Sequence, residues 1–351
     1  MNNTILVAFI VAFIITFSLT PFVKKLAFQI GAVDIPKDNR RMHKKPTARM
    51  GGLAIYIGFI VSALLFSEIE SAIAGILIGS TIIVILGIFD DIYALSAKIK
   101  LLFQLAAALC PIIAGVQIDF IKVPSIISDY GYIGLGWLAI PVTLIWIVGI
   151  TNAINLLDGL DGLACGVSSI SALTLLFIAI IVGEPAVAFV TSALAGACFG
   201  FLPYNFNPAK LFMGDTGALF LGFMLSTVSV QGLFKGYAVI SIAAPILILG
   251  LPIFDTTSAI IRRLKNHQPI MSPDRGHLHH RLVDAGFSQK QAVSIIYILC
   301  LILCIGAVVL IATGAISWWV FIAVILGFIL FLWLTPRIIE FLSDKEEHKH
   351  N

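Results

Sequence analysis

Asn152, Asn155, Asp158 and Asp161 recur at intervals of three residues, directly after an uncharged apolar run from Leu135 to Ile150. Residues three apart on a helix are neighbours, so Asn155 meets Asp158 and Asp158 meets Asp161. Gly159 and Gly162 loosen the helix there and let backbone approach a ligand. A carboxylate at the end of a membrane span is costly to keep dry and by default marks a functional site. A helix end that simply reaches water accounts for one such Asp, but not for a cluster that recurs elsewhere in the chain.

Three further clusters follow the same logic. Asp90 and Asp91 are adjacent like charges that need a cation or a shared proton, and Lys98 follows seven residues later. Asp215-Thr216 reads as a helix cap, but that leaves Asn205, Asn207, Lys210 and Phe212 beside it unexplained. The fourth cluster runs from Asp255 through Arg262, Arg263 and His267 to Arg275, His277, His279, His280 and Arg281. No cysteine or His-Glu-x-x-His pattern accompanies these histidines, so zinc is a poor fit. Arg, Lys and imidazole all donate to phosphate oxygens, and a phosphate-facing loop fits better. A basic segment, Asp34 to Arg49, carries Lys37, Arg40, Arg41, His43, Lys44, Lys45 and Arg49. It reads either as topology control with attraction to anionic lipid or as a landing place for anionic substrates.

Asp carboxylates and Asn carbonyls are hard oxygen donors. Magnesium takes one or two of these and completes its shell with water and substrate phosphates. Basic loops beside such a site predict phosphoryl transfer from a soluble nucleotide to a lipid, where positioning and charge neutralisation supply most of the catalysis.

The elements that must position these residues are membrane helices. The 351 residues are 59% hydrophobic and 12% charged, with mean hydropathy +1.04; a soluble domain has roughly 25% charged residues. The expected fold is an all-α polytopic bundle, residues 1–342 forming one domain and 343–351 a charged cytosolic tail. Runs near the length of about 20 residues needed to span fall at 4–23, 50–67, 71–89, 98–115, 135–152, 162–183, 185–203, 216–233, 237–260, 290–313 and 316–338. With the N-terminus outside and the C-terminus cytosolic, these eleven spans put all of the 22 basic residues inside except Lys122 and Lys235, as the positive-inside rule requires. All Asp except Asp119 and Asp129 fall on the same side, although acidic residues do little to set topology. Ile5 to Phe22 lacks a preceding basic residue and a cleavage site and reads as a retained span, not a signal peptide. Residues 116–134 alternate polar and apolar and predict a short extracellular hairpin. The five cysteines sit in apolar runs and suggest no disulfide framework. A secondary transporter is the competing class, but its acids belong near the midplane, often with inverted repeats, whereas these sit at span ends. A lipid-binding scaffold needs the basic loops but not the Asp clusters.

The stretches Gly87–Asp91 with Lys98, Asn152–Gly162, Phe212–Gly217 and His277–His280 resemble the motifs of the polyprenyl-phosphate N-acetylhexosamine-1-phosphate transferases, glycosyltransferase family 4. The resemblance covers about residues 24–286. Pro273–Leu282 is most similar to the TagO branch, which starts wall teichoic acid linkage units; the MraY branch carries a run of adjacent histidines instead. The resemblance implies transfer of N-acetylglucosamine-1-phosphate from UDP-N-acetylglucosamine to undecaprenyl phosphate, releasing UMP, at the cytosolic face of a bacterial plasma membrane. It implies magnesium, with manganese as a substitute, on Asn155 and Asp215. Asp90, Asp91 and Asp158 then carry the catalysis, Asp90 and Asp91 at the lipid phosphate with Lys98 as charge partner. Phe212 stacks on uracil beside Asp158 and Asp161. His277, His279, His280 and Arg281 hold the diphosphate and sugar, and Lys44, Lys45 and Asn152 complete the substrate contacts. The expected partners are the UDP-sugar, the lipid phosphate, the membrane and, as an open option, a second copy of the chain; nucleic acid is not among them. Direct attack by the lipid phosphate and a covalent enzyme intermediate both stand, but a phosphate monoester with a second pKa of about 6 hardly needs a strong base, which favours direct attack.

Overall fold

The computed structural model describes residues 2–34, 46–122, 132–234, 243–269, 276–312 and 326. In chain order the helices are α1 (Asn2–Gln29), α2 (Gly52–Phe66), α3 (Ser71–Tyr93), α4 (Ala97–Ile113), α5 (Ala139–Leu157), α6 (Leu163–Val182), α7 (Pro185–Asn205), α8 (Gly214–Phe234), α9 (Ala243–Ile248), α10 (Gly250–Lys265), α11 (Leu278–Asp284) and α12 (Gln289–Ala312). Two antiparallel strand pairs complete the described chain: β1 (Val33–Asp34) with β2 (Thr47–Ala48), and β3 (Phe120–Lys122) with β4 (Tyr132–Gly134). The β3–β4 pair lies where the alternation at 116–134 predicts a hairpin.

Six helices among the described residues are long and apolar enough to cross a membrane: 3–29, 71–93, 136–157, 163–182, 185–205 and 289–312. The protein is a multi-pass membrane protein, and its described residues are all-α apart from the two short strand pairs. The first eight expected spans and the tenth each coincide with a helix, α1 to α8 and α12. The eleventh, 316–338 apart from residue 326, the tail and most of the first basic segment, with Lys44 and Lys45, lie outside the described residues.

The ninth expected span, 237–260, differs in detail. Residues 237–242 lie outside the described chain; the rest is divided at Leu249 and runs on to Lys265. Pro252 has no amide to donate to Ile248, whose carbonyl instead accepts the Ser171 hydroxyl at 3.2 Å. The break is local, because Leu249 still donates to Pro245 and accepts from Ile253. The connection 262–290, expected as a loop, contains α11.

Small residues bring the helices together. A Cβ on Gly58 of α2 would meet Thr16 Oγ1 of α1 at 2.0 Å, and one on Gly196 of α7 would meet the Phe9 carbonyl of α1 at 2.2 Å. The hydroxyls of Ser62 and Ser192 donate to the α1 carbonyls of Ala8 and Ile5, each at 2.7 Å. In lipid, such close backbone approach and interhelical hydrogen bonding drive association, since apolar burial gains nothing over lipid tails. Large apolar side chains such as Leu6, Ile10, Ile14 and Phe17 of α1 point outward. By contrast α8 is buried almost all round from Thr216 to Val230, as expected for a helix at the centre of a bundle. It packs against α2, α3, α5 and α6, and Asp215 stands at its N-terminal end.

Candidate active site

The C-terminal ends of α3 and α5 and the N-terminal ends of α4 and α8 converge, bringing the first three polar clusters together. Asp91, in the last turn of α3, accepts from the Asp215 amide at 2.9 Å, the Thr216 amide at 3.1 Å and the Thr216 hydroxyl at 2.6 Å. This contact needs two glycines. A Cβ on Gly214 would sit 2.5 Å from the Asp91 carboxylate, and one on Gly87, a helical turn before Asp91, would sit 2.4 Å from the Thr216 backbone. Gly214 also enters α8 in the left-handed region, at φ 71°.

Asp90 bonds toward α4. Its Oδ1 accepts the Leu95 amide at 2.7 Å, shaping the turn into α4, and its Oδ2 accepts from Lys100 Nζ at 2.8 Å. Lys100 also lies 3.8 Å from Asp215 Oδ2. The expected charge partner, Lys98, is exposed instead. Residues two positions apart on a helix are about 200° apart around its axis, so in α4 only one of the two lysines can face α3, and it is Lys100.

Asn155, in the last turn of α5, donates Nδ2 to Asp215 Oδ1 at 2.6 Å, which leaves its own carbonyl oxygen for another partner. Asn152, one turn earlier, forms a reciprocal amide pair with Gln104 of α4, at 2.7 and 3.3 Å. Arg49 Nε approaches Asp91 Oδ1 at 3.8 Å. Asp158 follows α5 directly, and burial, then the nearby Asp215 carboxylate, push its carboxyl up to about 7. Crowded carboxylates of this kind are stabilised by a cation.

The donors fit magnesium. Among the described residues no three His, Cys, Asp or Glu form a ready-made metal cage. Magnesium rarely asks for one, since it keeps several waters and binds through one or two carboxylates and substrate phosphates. Asp215 and the Asn155 carbonyl form such a set.

Asp161 serves the neighbouring loops. Its Oδ2 accepts from Asn207 Nδ2 at 2.9 Å and from the Ala209 amide at 3.0 Å, and Asn207 continues to Gln289 at the start of α12. Gly162, at φ 79°, donates to Asn205 Oδ1 at 3.1 Å and accepts from the Tyr297 hydroxyl of α12. Phe212 is half-buried; its amide donates to Ala48 and its carbonyl accepts from Gly51, each at 2.9 Å.

The histidine cluster meets the acidic loop at His279. A Cβ on Gly159 would lie 2.3 Å from Nε2 of His279, so the ring rests on the backbone beside Asp158. Burial, then the neighbouring His280, lower His279 to about 3, so it works as a neutral imidazole. The rings of His277 and His279 stack at 5.7 Å and 12°, and that of His280 lies 4.3 Å from His279. His280 and Arg281 sit half-buried on α11; Arg275 lies outside the described residues.

Lys100 and Gln104 join this network from outside the sequence-predicted clusters; Arg49, Thr216 and Asp255 stood there only in the basic segment, as a helix cap and in the fourth cluster, without a role of their own. Arg49 and Lys100 carried a signal, as basic residues on the same face as the acids. Their pairing depends on helix phase and long-range docking, which residue spacing does not encode.

Residues 73–233 match the family model for glycosyl transferase family 4. The chain is 46% identical over 343 residues to the probable undecaprenyl-phosphate N-acetylglucosaminyl 1-phosphate transferase of Bacillus subtilis strain 168, covering 97% of this chain and 94% of that one. It is 35% identical over 327 residues to the decaprenyl-phosphate N-acetylglucosaminephosphotransferase of Mycolicibacterium smegmatis, covering 84% and 79%. Identity to the phospho-N-acetylmuramoyl-pentapeptide-transferase of Caldicellulosiruptor bescii is 32% over 332 residues, covering 88% and 96%.

Proposed function

The chain belongs to glycosyl transferase family 4, and we propose that it transfers N-acetylglucosamine-1-phosphate from UDP-N-acetylglucosamine to undecaprenyl phosphate. An oxygen of the lipid phosphate attacks the sugar-bound phosphorus, the bond from that phosphorus to the bridging oxygen breaks, and UMP leaves. The product is undecaprenyl-diphospho-N-acetylglucosamine, the first lipid intermediate of a teichoic acid or related cell-wall polymer. The observation that carries the reading is the meeting of Asp90, Asp215, Asn155 and Lys100 at the converging ends of α3, α4, α5 and α8. A transporter would need its acids deeper between helices.

Lys100 orients Asp90 and adds positive charge where phosphates gather. Asp91 holds the α8 amides, so that Asp215 stands at the mouth of the site. Arg49, His279 and the α11 residues supply donors suited to phosphate oxygens. Asp215 and the Asn155 carbonyl would hold magnesium, which when bound neutralises diphosphate charge. The basic residues of the same connections support a cytosolic site with the N-terminus outside. The higher identity to N-acetylglucosamine-phosphate transferases than to the muramoyl-pentapeptide enzyme supports the sugar choice.

The test is purified full-length protein with magnesium, undecaprenyl phosphate and both UDP-N-acetylglucosamine and the UDP-muramoyl-pentapeptide nucleotide in competition. UMP release that stops with EDTA, and a lipid product of N-acetylglucosamine mass, are expected. No UMP would remove the transferase reading, whereas a muramoyl-pentapeptide lipid would change only the substrate.

A further inference from the structure

One carboxylate joins α10 to α11. Asp255, 5% exposed within α10, accepts from His277 Nδ1 through Oδ2 and from the Leu278 amide through Oδ1, each at 2.8 Å. A buried carboxylate needs such bonds to both oxygens to remain charged. Its donors are consecutive: His277 caps α11 with an extended backbone, and Leu278 is the first residue of the helix. Asp255 therefore fixes the position of α11 and the orientation of the His277 ring in one contact. Because a carboxylate can only accept, Nδ1 carries the hydrogen and Nε2 is the ring nitrogen left for another partner.

The contact extends toward the carboxylate centre. The His277 ring stacks on His279, and His279 rests on Gly159, next to Asp158. Next to His277, Gly276 lies where a Cβ would fall 2.3 Å from the Arg262 guanidinium, which fixes how closely the segment follows α10. The chain of contacts runs from Asp255 through His277 and His279 to the acidic loop, joining the fourth polar cluster to the other three.

We propose that Asp255 is a positioning residue for phosphoryl transfer: it holds His277 with Nε2 turned to the substrate phosphates and seats α11 so that His279 lies against the Asp158 loop. The inference rests on the transferase reading above and adds a residue that acts through His277, without touching substrate itself.

The test uses purified full-length protein, with kcat and KM measured for UDP-N-acetylglucosamine at saturating undecaprenyl phosphate, and a thermal midpoint for each variant. Asp255→Asn keeps an oxygen for Leu278 but can present an amide donor to Nδ1, which forces the opposite tautomer. We expect kcat to fall by about 10²-fold or more, since a wrong tautomer in an Asp–His pair is severely damaging, with KM within about threefold of the unaltered chain. His277→Asn can still donate to Asp255 and seat α11 but has no Nε2, so the same loss of kcat with an unchanged midpoint is expected. The double variant should be no worse than the worse single, because both act through one ring. More than half of the kcat retained in Asp255→Asn, or losses that multiply in the double variant, would overturn the inference. Should Asp255→Asn not fold, His277→Asn decides, and unaltered kcat there overturns it. These outcomes are read against an active unaltered chain; its inactivity would instead sink the transferase reading.

Discussion

Asp91 of α3 caps α8: its two oxygens take the amides of Asp215 and Thr216, and one also takes the Thr216 hydroxyl. The adjacent acids at 90 and 91 therefore do different work. Both are buried, but Asp91 bonds to the α8 backbone across the bundle, whereas Asp90 pairs with Lys100 and takes the Leu95 amide at the turn into α4.

Replacing Asp91 tests that division. Asp91→Ala leaves buried amides of α8 without acceptors, a loss of about 1–3 kcal/mol. Its thermal midpoint should drop and transfer should fall with it. Asp91→Asn keeps one acceptor and should recover much of the stability. An Asp91→Ala protein as stable as the unaltered chain would show that the cap is dispensable and that Asp91 serves substrate instead.

The two lysines of α4 separate cleanly. Lys100→Met removes the partner of Asp90 and a positive charge 3.8 Å from Asp215. One preorganised electrostatic contact of this kind is worth about 10²–10³ in rate. Lys98→Met, at an exposed position on another face of α4, should transfer at close to the normal rate. Equal losses in kcat would return Lys98 to the site.

How much of this was legible in the sequence follows from the range of each contact. The triplet spacing of Asn152, Asn155, Asp158 and Asp161 located the end of α5, and the distribution of basic residues grouped the four clusters on one face. Residues 116–134 gave their strand pair through alternation. The choice of Lys100 over Lys98 needed the phase of α4 against α3, which no local pattern sets. The Asp255–His277 pair joins residues 22 apart, and α11 forms within a segment too short and too polar to announce a helix. Asp161 looked like its neighbour Asp158 but is bonded to Asn207 and Ala209, because the glycine at 162 turns the chain between them and α6.

Gly159 tests the seat of α11. Gly159→Ala would place a methyl 2.3 Å from His279 Nε2, so the ring and α11 must move. A misplacement of about 1 Å can lower a rate 10²-fold, and kcat should fall on that scale with the rest of the fold intact. Gly149→Ala on α5, with open space around it, is the matched control. Similar activity in both variants would mean that His279 does not need Gly159 beneath it.

The last prediction concerns pH. His279 is 2% exposed, and burial lowers its value from 6.5 to about 3, so the folded chain binds this proton more weakly than the unfolded chain. Stability from the group is intact above about 6.5 and is lost as pH falls from there toward about 3. Between about pH 7 and pH 5 the loss is about 2 kcal/mol, at 1.36 kcal/mol per unit. Thermal midpoints of the detergent-purified chain should fall over that interval, and His279→Gln, which keeps a polar side chain but does not titrate, should fall less. Carboxylates elsewhere contribute to both proteins equally, so the difference between the two slopes isolates His279. Parallel slopes would show that His279 is charged or solvated in the folded state, and that the ring does not lie buried on the Asp158 loop.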